Sequence, residues 1–213
     1  MRINKIGGLT AIALTVIYLI GIVMNVTMLD TSSITDGVKL VEFMRDHEVL
    51  MYAWITLLYV VFGIILVVLS LAIHEKLKVA DVFLSKVATA FGLIWAGLVI
   101  ASGMVHNVGM GMAIDMLSTS PVEAGQFFKM INAIHIGLGG GNEINGAIWT
   151  LVISLIALKH GLFKKWINVL GMVVGIAGLL TIAPPLFDYA VMVFALGQMV
   201  WWIGLGVNMI KSE

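Results

Sequence analysis

The sequence predicts an all-α, polytopic membrane protein, a single integral membrane domain (residues 1–213) built as a six-transmembrane-helix bundle. The chain is 61% hydrophobic and only 11% charged, whereas soluble domains carry about 25% charged residues. Its apolar residues fall into runs of about 20, the length that a helix needs to cross the hydrocarbon core of a bilayer. It contains only three prolines, which favours long uninterrupted helices.

Six apolar segments are the predicted membrane spans. They cover about residues 6–29, 51–73, 87–110, 136–158, 166–183 and 189–210. The first is too long for the apolar core of a signal peptide, and no cleavage motif of small residues follows it, so we interpret it as a retained helix. The fourth contains Glu143 well inside its boundary, and the fifth ends at Pro184-Pro185.

The distribution of lysine and arginine predicts the topology. With a cytoplasmic N-terminus, nine basic residues lie on the inner side and three on the outer side, and the positive-inside rule selects this arrangement. The inner residues are Arg2, Lys5, Lys76, Lys78, Lys86, Lys159, Lys164, Lys165 and Lys211, and the outer ones are Lys39, Arg45 and Lys129. We therefore expect a multi-pass protein of the cell (cytoplasmic) membrane, an inner-membrane protein with both termini in the cytoplasm.

Two outer loops are predicted to form short amphipathic helices on the outer face. In residues 33–44, the apolar side chains of Val38, Val41 and either Phe43 or Met44 could share one helical face. In residues 120–135, Ser120-Pro121-Val122-Glu123 matches a capping box, with proline at the first helical position.

Glycines at four-residue spacing indicate close helix packing. Gly171-x-x-x-Gly175 with Gly178 lies in the fifth span, and Gly137-x-x-x-Gly141 begins the fourth. Small residues let helix backbones approach closely in a membrane. Packing within the chain is the favoured interpretation, and a homodimer or a larger membrane complex is the alternative.

Polar residues at the outer ends of the spans form the candidate site. Ionisable groups within the membrane are costly and are therefore functional candidates. His135 and Asn142 are seven residues apart and share a helical face, and His106 is on the preceding span, so it could meet His135 and Glu143 at one depth. The predicted ligand pocket of the outer leaflet comprises Asn25, His106, Asn107, His135, Asn142, Glu143 and Asn145.

Three interpretations of this cluster stay open. The favoured one is hydrogen bonding that holds the helices together, and the second is a pocket for a small molecule or a proton. The third is a metal site of His106, His135 and Glu143, because two histidines and one carboxylate are a familiar ligand set for zinc or non-haem iron. Two histidines could also ligate one haem, so the cofactor is unknown, with metal or haem the less favoured alternatives.

Several classes of function are excluded or disfavoured. The chain has no cysteine and zero formal net charge, which excludes thiolate chemistry and leaves no basic face for nucleic acid. Ser102 lies one helical turn from His106, a weak basis for Ser–His hydrolysis.

Residues 161–175, with the sequence GLFKKWINVLGMVVG, resemble the six-helix membrane proteins of the family called domain of unknown function 4386. Arg2, Gly7-Gly8 and the acidic loop after the first span are similar too. The chain departs from the family pattern at Lys164, where the family often has proline, and at Asn168, where it often has glycine. The resemblance implies six membrane helices and brings no catalytic residues.

The sequence therefore predicts a non-enzymatic membrane protein. It would lie in the lipid bilayer and bind a small apolar or amphipathic ligand, or act as an accessory subunit of a membrane complex. The alternatives are a metal- or haem-binding enzyme or redox protein that uses His106, His135 and Glu143, and a small dimeric proton-linked transporter that uses Glu143.

Overall fold

The computed structural model describes residues 2–140 and 143–211, and within these residues the secondary structure is helical, without a β-strand. This confirms the all-α prediction. The α-helices of the described residues are α1 Arg2–Met28, α2 Gly37–Asp46, α3 Glu48–Ile55, α4 Phe62–Leu77, α5 Val82–Met116, α6 Pro121–His135, α7 Ile144–His160, α8 Lys165–Leu180 and α9 Phe187–Lys211. Two π-helical segments, π1 (Thr56–Val61) and π2 (Ile136–Gly140), follow α3 and α6, and a 3₁₀ turn, Pro184–Leu186, precedes α9.

Five helical stretches are long and apolar enough to cross a membrane, which indicates an integral membrane protein. They are Ile3–Met28, Glu48–Leu77, Val82–Met116, Pro121–His160, which includes the undescribed residues 141 and 142, and Pro184–Lys211. The fifth predicted span corresponds to α8, which has 16 residues. At 1.5 Å per residue, α8 is about 24 Å long, slightly shorter than a hydrocarbon core of about 30 Å.

The fourth predicted span is interrupted, which corrects the expectation of one continuous helix over residues 136–158. Gly139 has non-helical dihedral angles, π2 ends at Gly140, and α7 begins only at Ile144 with Glu143 as its N-cap residue. Glycine in a helix interior costs about 1 kcal/mol relative to alanine, and three glycines follow one another here. Glu143 therefore lies at a helix end rather than two turns inside a helix.

Local sequence determines several of the helix ends. The Asp36 carboxylate accepts from the Lys39 N–H at 3.0 Å and caps α2, and Gly161, with φ of +66°, ends α7. Ser120 and Pro121 occupy the N-cap and first helical positions of α6, as predicted. The predicted capping box is wrong in one respect, because the Ser120 side chain makes no capping hydrogen bond.

The chain forms two compact units. Unit 1 comprises residues 1–16, 63–97 and 141–213, and unit 2 comprises residues 17–62 and 98–140. Within unit 1, α8 packs against α7 and α9. A side-chain carbon placed on Gly175 would lie 2.7 Å from Cβ of Leu151, and one on Gly178 would lie 2.6 Å from Cβ of Ala147. These glycines serve packing within the chain, which confirms the favoured interpretation for the fifth span.

The glycine pair predicted to begin the fourth span, Gly137 and Gly141, does not show the same close packing at its first position. A side-chain carbon on Gly137 would meet no atom within 4 Å, so the close packing predicted there is not found at this position. Gly141 lies outside the described residues.

Aromatic side chains form the core of unit 1. The ring centroid of Trp149 lies 5.8 Å from that of Trp95 and 5.6 Å from that of Trp201. The buried Thr150 hydroxyl donates to Oε1 of Gln198 at 3.1 Å, which joins α7 to α9. This core is packed from large rings and a small number of buried polar groups.

Most of residues 33–44 and 120–135 is helical in unit 2, where α2 packs against α6. Val41 and Met44 of α2 are buried, as their helical spacing predicts. They belong to a hydrophobic cluster of Leu29, Val41, Met44, Met51, Met110, Ala113 and Phe128. A side-chain carbon on Gly125 would lie 2.7 Å from the carbonyl carbon of Gly37, so the two helices approach closely because both positions are glycine.

Candidate functional site

Two buried histidines meet in unit 2. His106 is on α5 and His135 is the last residue of α6, and their ring centroids lie 4.9 Å apart at an interplanar angle of 65°. Their side chains are 5% and 6% exposed. The prediction that these two residues converge from consecutive spans is therefore realised in the structure. Burial of two ionisable rings in direct contact is uncommon in a structural core, because each charged form is costly to desolvate.

Ser102 fixes the orientation of His135. The Ser102 hydroxyl donates to the His135 carbonyl oxygen at 2.8 Å, and the Ser102 Oγ atom also lies 2.7 Å from Nδ1 of His135. Nδ1 also lies 3.2 Å from the Ser102 carbonyl oxygen. A carbonyl can only accept, so this contact favours the tautomer that carries the proton on Nδ1 and the lone pair on Nε2. Ser102 thus contacts His135 through both its hydroxyl and its carbonyl oxygen, and these contacts hold the orientation of the ring.

Both π-helical segments adjoin this histidine pair. His135 immediately precedes π2, and Tyr59 of π1 packs against His135 with ring centroids 4.8 Å apart. A side-chain carbon on Gly103 of α5 would overlap Cβ of Tyr59, so the glycine permits this approach. Short π-helical turns are rare and occur frequently at functional sites. In unit 2, two such segments therefore interrupt the regular α-helical geometry beside one buried histidine pair.

Two further interactions involve Asn107, which follows His106 in the sequence, and Phe128. Nδ2 of Asn107 donates to the hydroxyl of Thr56, the first residue of π1, at 3.1 Å. The ring of Phe128 packs edge-on against His106, with centroids 5.4 Å apart. Nδ1 of His106 and Oδ1 of Asn107 are buried without a hydrogen-bond partner. Buried polar atoms are normally satisfied, so both atoms are available to a ligand.

A groove between α2 and α6 lies beside Phe128. Its volume is about 440 Å³, and its lining combines apolar and polar side chains, namely Val38, Leu40, Val122 and Phe128 with Thr35, Asp36, Gln126, Lys129 and Asn132. Ligand pockets of proteins typically measure about 300–1,000 Å³. Phe128 is common to the groove and to the surroundings of His106.

The other predicted site residues are distributed as follows. Asn25, on α1 in unit 2, is half-buried. Asn142 lies outside the described residues. Glu143 and Asn145 belong to unit 1, where both are half-buried at the start of α7. The Glu143 N–H donates to the hydroxyl of Thr181 at 3.3 Å.

The metal set of His106, His135 and Glu143 stays a prediction. Across residues 3–139 and 143–211, no three histidine, aspartate or glutamate side chains lie close enough together to hold one metal ion. The two histidines by themselves supply two nitrogens, fewer than the three protein ligands typical of a catalytic zinc site.

Four residues of this site were missed by the sequence reasoning. Ser102 was identified only as a neighbour of His106, and its bonds to His135 had no signal in the sequence. Its position one turn before His106 places both on the same face of α5, which was the only available indication. Thr56, Tyr59 and Phe128 carry no such signal, since threonine at helix contacts and aromatic residues near the interface are ordinary in membrane proteins.

The similarity of this chain to known proteins is at the level of a family. No curated protein and no solved structure is detectably similar to the chain. A family model described as Domain of unknown function (DUF4386) matches residues 6–211, nearly the whole chain and every described residue of the histidine site. The resemblance drawn from residues 161–175 is thereby confirmed, and the chain belongs to the DUF4386 family.

Proposed function

We propose that this protein is a non-enzymatic, multi-pass binding protein for a small amphipathic molecule, with the ligand site at His106 and His135. The observation that carries the proposal is the convergence of two buried histidines with both π-helical segments. The proposal is further supported by Nδ1 of His106 and Oδ1 of Asn107, two buried polar atoms beside the histidine pair that have no hydrogen-bond partner within the described residues.

The chemistry of the site suggests the kind of ligand. Nε2 of His135 can accept a hydrogen bond, and the His106 ring can donate or accept according to its tautomer. Phe128 and Tyr59 offer aromatic surface beside these rings. A molecule with a hydroxyl, amine or amide head and an apolar body matches this combination. The α2–α6 groove, with Lys129 and Asp36 beside Val38 and Leu40, is the proposed route of entry from the outer leaflet.

The proposed topology has six membrane spans, with both termini in the cytoplasm of a cell whose cytoplasmic membrane holds the protein. In this arrangement α8 is the short fifth crossing, and α2 and α6 lie on the outer face. The nine-to-three distribution of basic residues across the inner and outer sides supports the orientation. Local thinning of the bilayer accommodates a short span at modest cost.

The ligand proposal is tested by identifying what co-purifies with the protein. The full chain is purified in mild detergent, and small molecules extracted from it are compared by mass spectrometry with those from His106→Gln, His135→Gln and His160→Gln. His160 is exposed at the end of α7 and serves as the matched control. We expect one organic species near one per protein in the wild type and in His160→Gln, and at least tenfold less in the two site variants. Equal recovery from all four proteins would contradict the proposal.

Metal binding is the second candidate, and one observation favours it. Nδ1 of His135 is held by a carbonyl oxygen, the arrangement by which metal-ligating histidines are commonly oriented. The same preparations are analysed for zinc, iron and copper and by optical absorption for haem. Near-stoichiometric metal in the wild type that is lost in His135→Gln would favour this candidate over the organic ligand.

A further inference from the structure

A second groove lies in unit 1, between α8 and α9. Its volume is about 260 Å³, and most of its lining is apolar. Ile167 of α8 and Val200, Ile203 and Val207 of α9 form the apolar part. Lys164 and Lys211 lie at one end, where α8 begins and α9 ends.

Trp166 forms one wall of this groove. Its side chain is 51% exposed, although it is one of the largest apolar side chains of the unit. A side-chain carbon placed on Gly204 would lie 2.5 Å from Cη2 of Trp166, so the glycine lets the indole lie against α9. Tryptophan is enriched at the level of lipid headgroups. The position of Trp166 beside two lysines is therefore typical of a site at the membrane surface.

The charged side chains that the structure describes in the lining of this groove are both lysines. Both lysine side chains are exposed, and among residues 3–139 and 143–211 no acidic side chain lines the groove. Over the described residues, the ion pairs are those of Arg45 with Asp46 and of Lys78 with Glu75, and neither involves a groove lysine. Two ammonium groups above an apolar floor are complementary to a negatively charged headgroup with an acyl chain below it.

We propose that the α8–α9 groove is a binding site for one anionic phospholipid of the bilayer. The phosphate lies between the ammonium groups of Lys164 and Lys211, and one acyl chain runs along Val207, Ile203 and Val200. The occupant is a membrane lipid because α9 belongs to a stretch that is long and apolar enough to span the bilayer. The site is independent of the histidine site in unit 2 and goes beyond the ligand function proposed above.

Native mass spectrometry of the full chain tests this proposal. The delipidated protein in mild detergent is titrated with phosphatidylglycerol and with phosphatidylcholine that carry the same acyl chains. We expect one phosphatidylglycerol to bind at least tenfold more tightly than phosphatidylcholine. Lys164→Gln and Lys211→Gln should each weaken phosphatidylglycerol about fivefold, the effect of one basic residue near an anionic surface. Lys159→Gln, an exposed lysine at the end of α7 that does not line the groove, should change nothing.

A second pair of variants addresses the apolar floor. Val207→Trp fills the groove and should reduce phosphatidylglycerol binding at least fivefold. Val193→Trp, at an exposed position of α9 that is not part of the lining, should leave it intact. Equal affinity for the two lipids, or full affinity in the Lys164→Gln/Lys211→Gln double variant, would overturn the proposal. So would displacement of the lipid by millimolar inorganic phosphate, since that result would indicate a simple anion site.

Discussion

Ser102 is the residue on which the orientation of His135 depends. Its hydroxyl both donates to the His135 carbonyl and lies within hydrogen-bond distance of Nδ1. Ser102→Ala removes two contacts of a fully buried group, and a buried hydrogen bond contributes about 0.5–1.5 kcal/mol. We expect the free energy of unfolding in detergent to fall by about 1–2 kcal/mol. Ser118→Ala, at an exposed position, is the control, and an equal effect of both changes would refute this role for Ser102.

Gln198 and Thr150 provide a second test at the level of single residues. Thr150→Val removes the bond to Oε1 of Gln198 and leaves an amide whose Nε2 is already without a partner. We expect a loss of about 1–3 kcal/mol of stability, because an unsatisfied buried amide is costly. Adding Gln198→Met removes the amide itself. The double variant should therefore be more stable than Thr150→Val alone, as measured by a double-mutant cycle of unfolding free energies. Additive losses would contradict this explanation.

Residue identities predicted part of the histidine site and missed the rest. The meeting of His106 with His135 follows from two consecutive helices with histidines at similar depth. The position of Glu143 did not follow, because the prediction treated residues 136–158 as one helix and the backbone breaks at Gly139. The bonds of Ser102 to His135 depend on the turn after α6, and a turn of this kind leaves no periodic pattern in the sequence.

Among the helices, α8 shows how glycine determines helix packing. Gly175→Ala places a methyl group 2.7 Å from Cβ of Leu151 and 3.0 Å from the Ala147 carbonyl oxygen. Overpacking of this kind costs about 1–3 kcal/mol. Gly97→Ala is the matched control, since a methyl group there meets no atom within 4 Å and alanine is the better helix former by about 1 kcal/mol. We expect thermal unfolding in detergent to be lowered by the first change and unchanged or raised by the second.

If the α8 glycines formed a dimer interface, Gly175→Ala would be expected to change the oligomeric state, measured by light scattering of the detergent complex, and leave the stability of the monomer unchanged. The contacts of Gly171, Gly175 and Gly178 with α7 and α9 lie within unit 1. The expected result is therefore a less stable protein of unchanged oligomeric state.

At this same scale, hydropathy predicts which segments are helical but not how each helix is wound. The apolar runs agree with the helices because backbone groups within a bilayer must bond internally. A π-helical turn uses the same residue types as an α-helical one, so the hydropathy pattern could not predict π1 and π2. The run of glycines at positions 139–141 was the only sequence feature that indicated an interruption at Gly139.

For the whole molecule, membrane residence was the most predictable property. It depends on composition summed over more than 200 residues, and no specific contact can reverse it. The division into two compact units is different, because it depends on which helix faces meet. The hydropathy of a lipid-facing side chain and that of a core-facing one are alike, so the sequence offers no means to separate the two units.

The absence of native cysteine permits a direct test of the topology. Single cysteines at Lys165, Asp188 and Lys211 bracket α8 and α9, and all three positions are exposed. If α8 crosses the membrane, a membrane-impermeant maleimide added to intact cells labels Asp188→Cys, and the other two react only after permeabilisation. If α8 does not cross, Asp188→Cys is protected and Lys211→Cys is labelled from outside. Lys39→Cys and Lys5→Cys serve as outer and inner references. Because the positive-inside count places Lys211 with Lys164 and Lys165, we expect the first pattern.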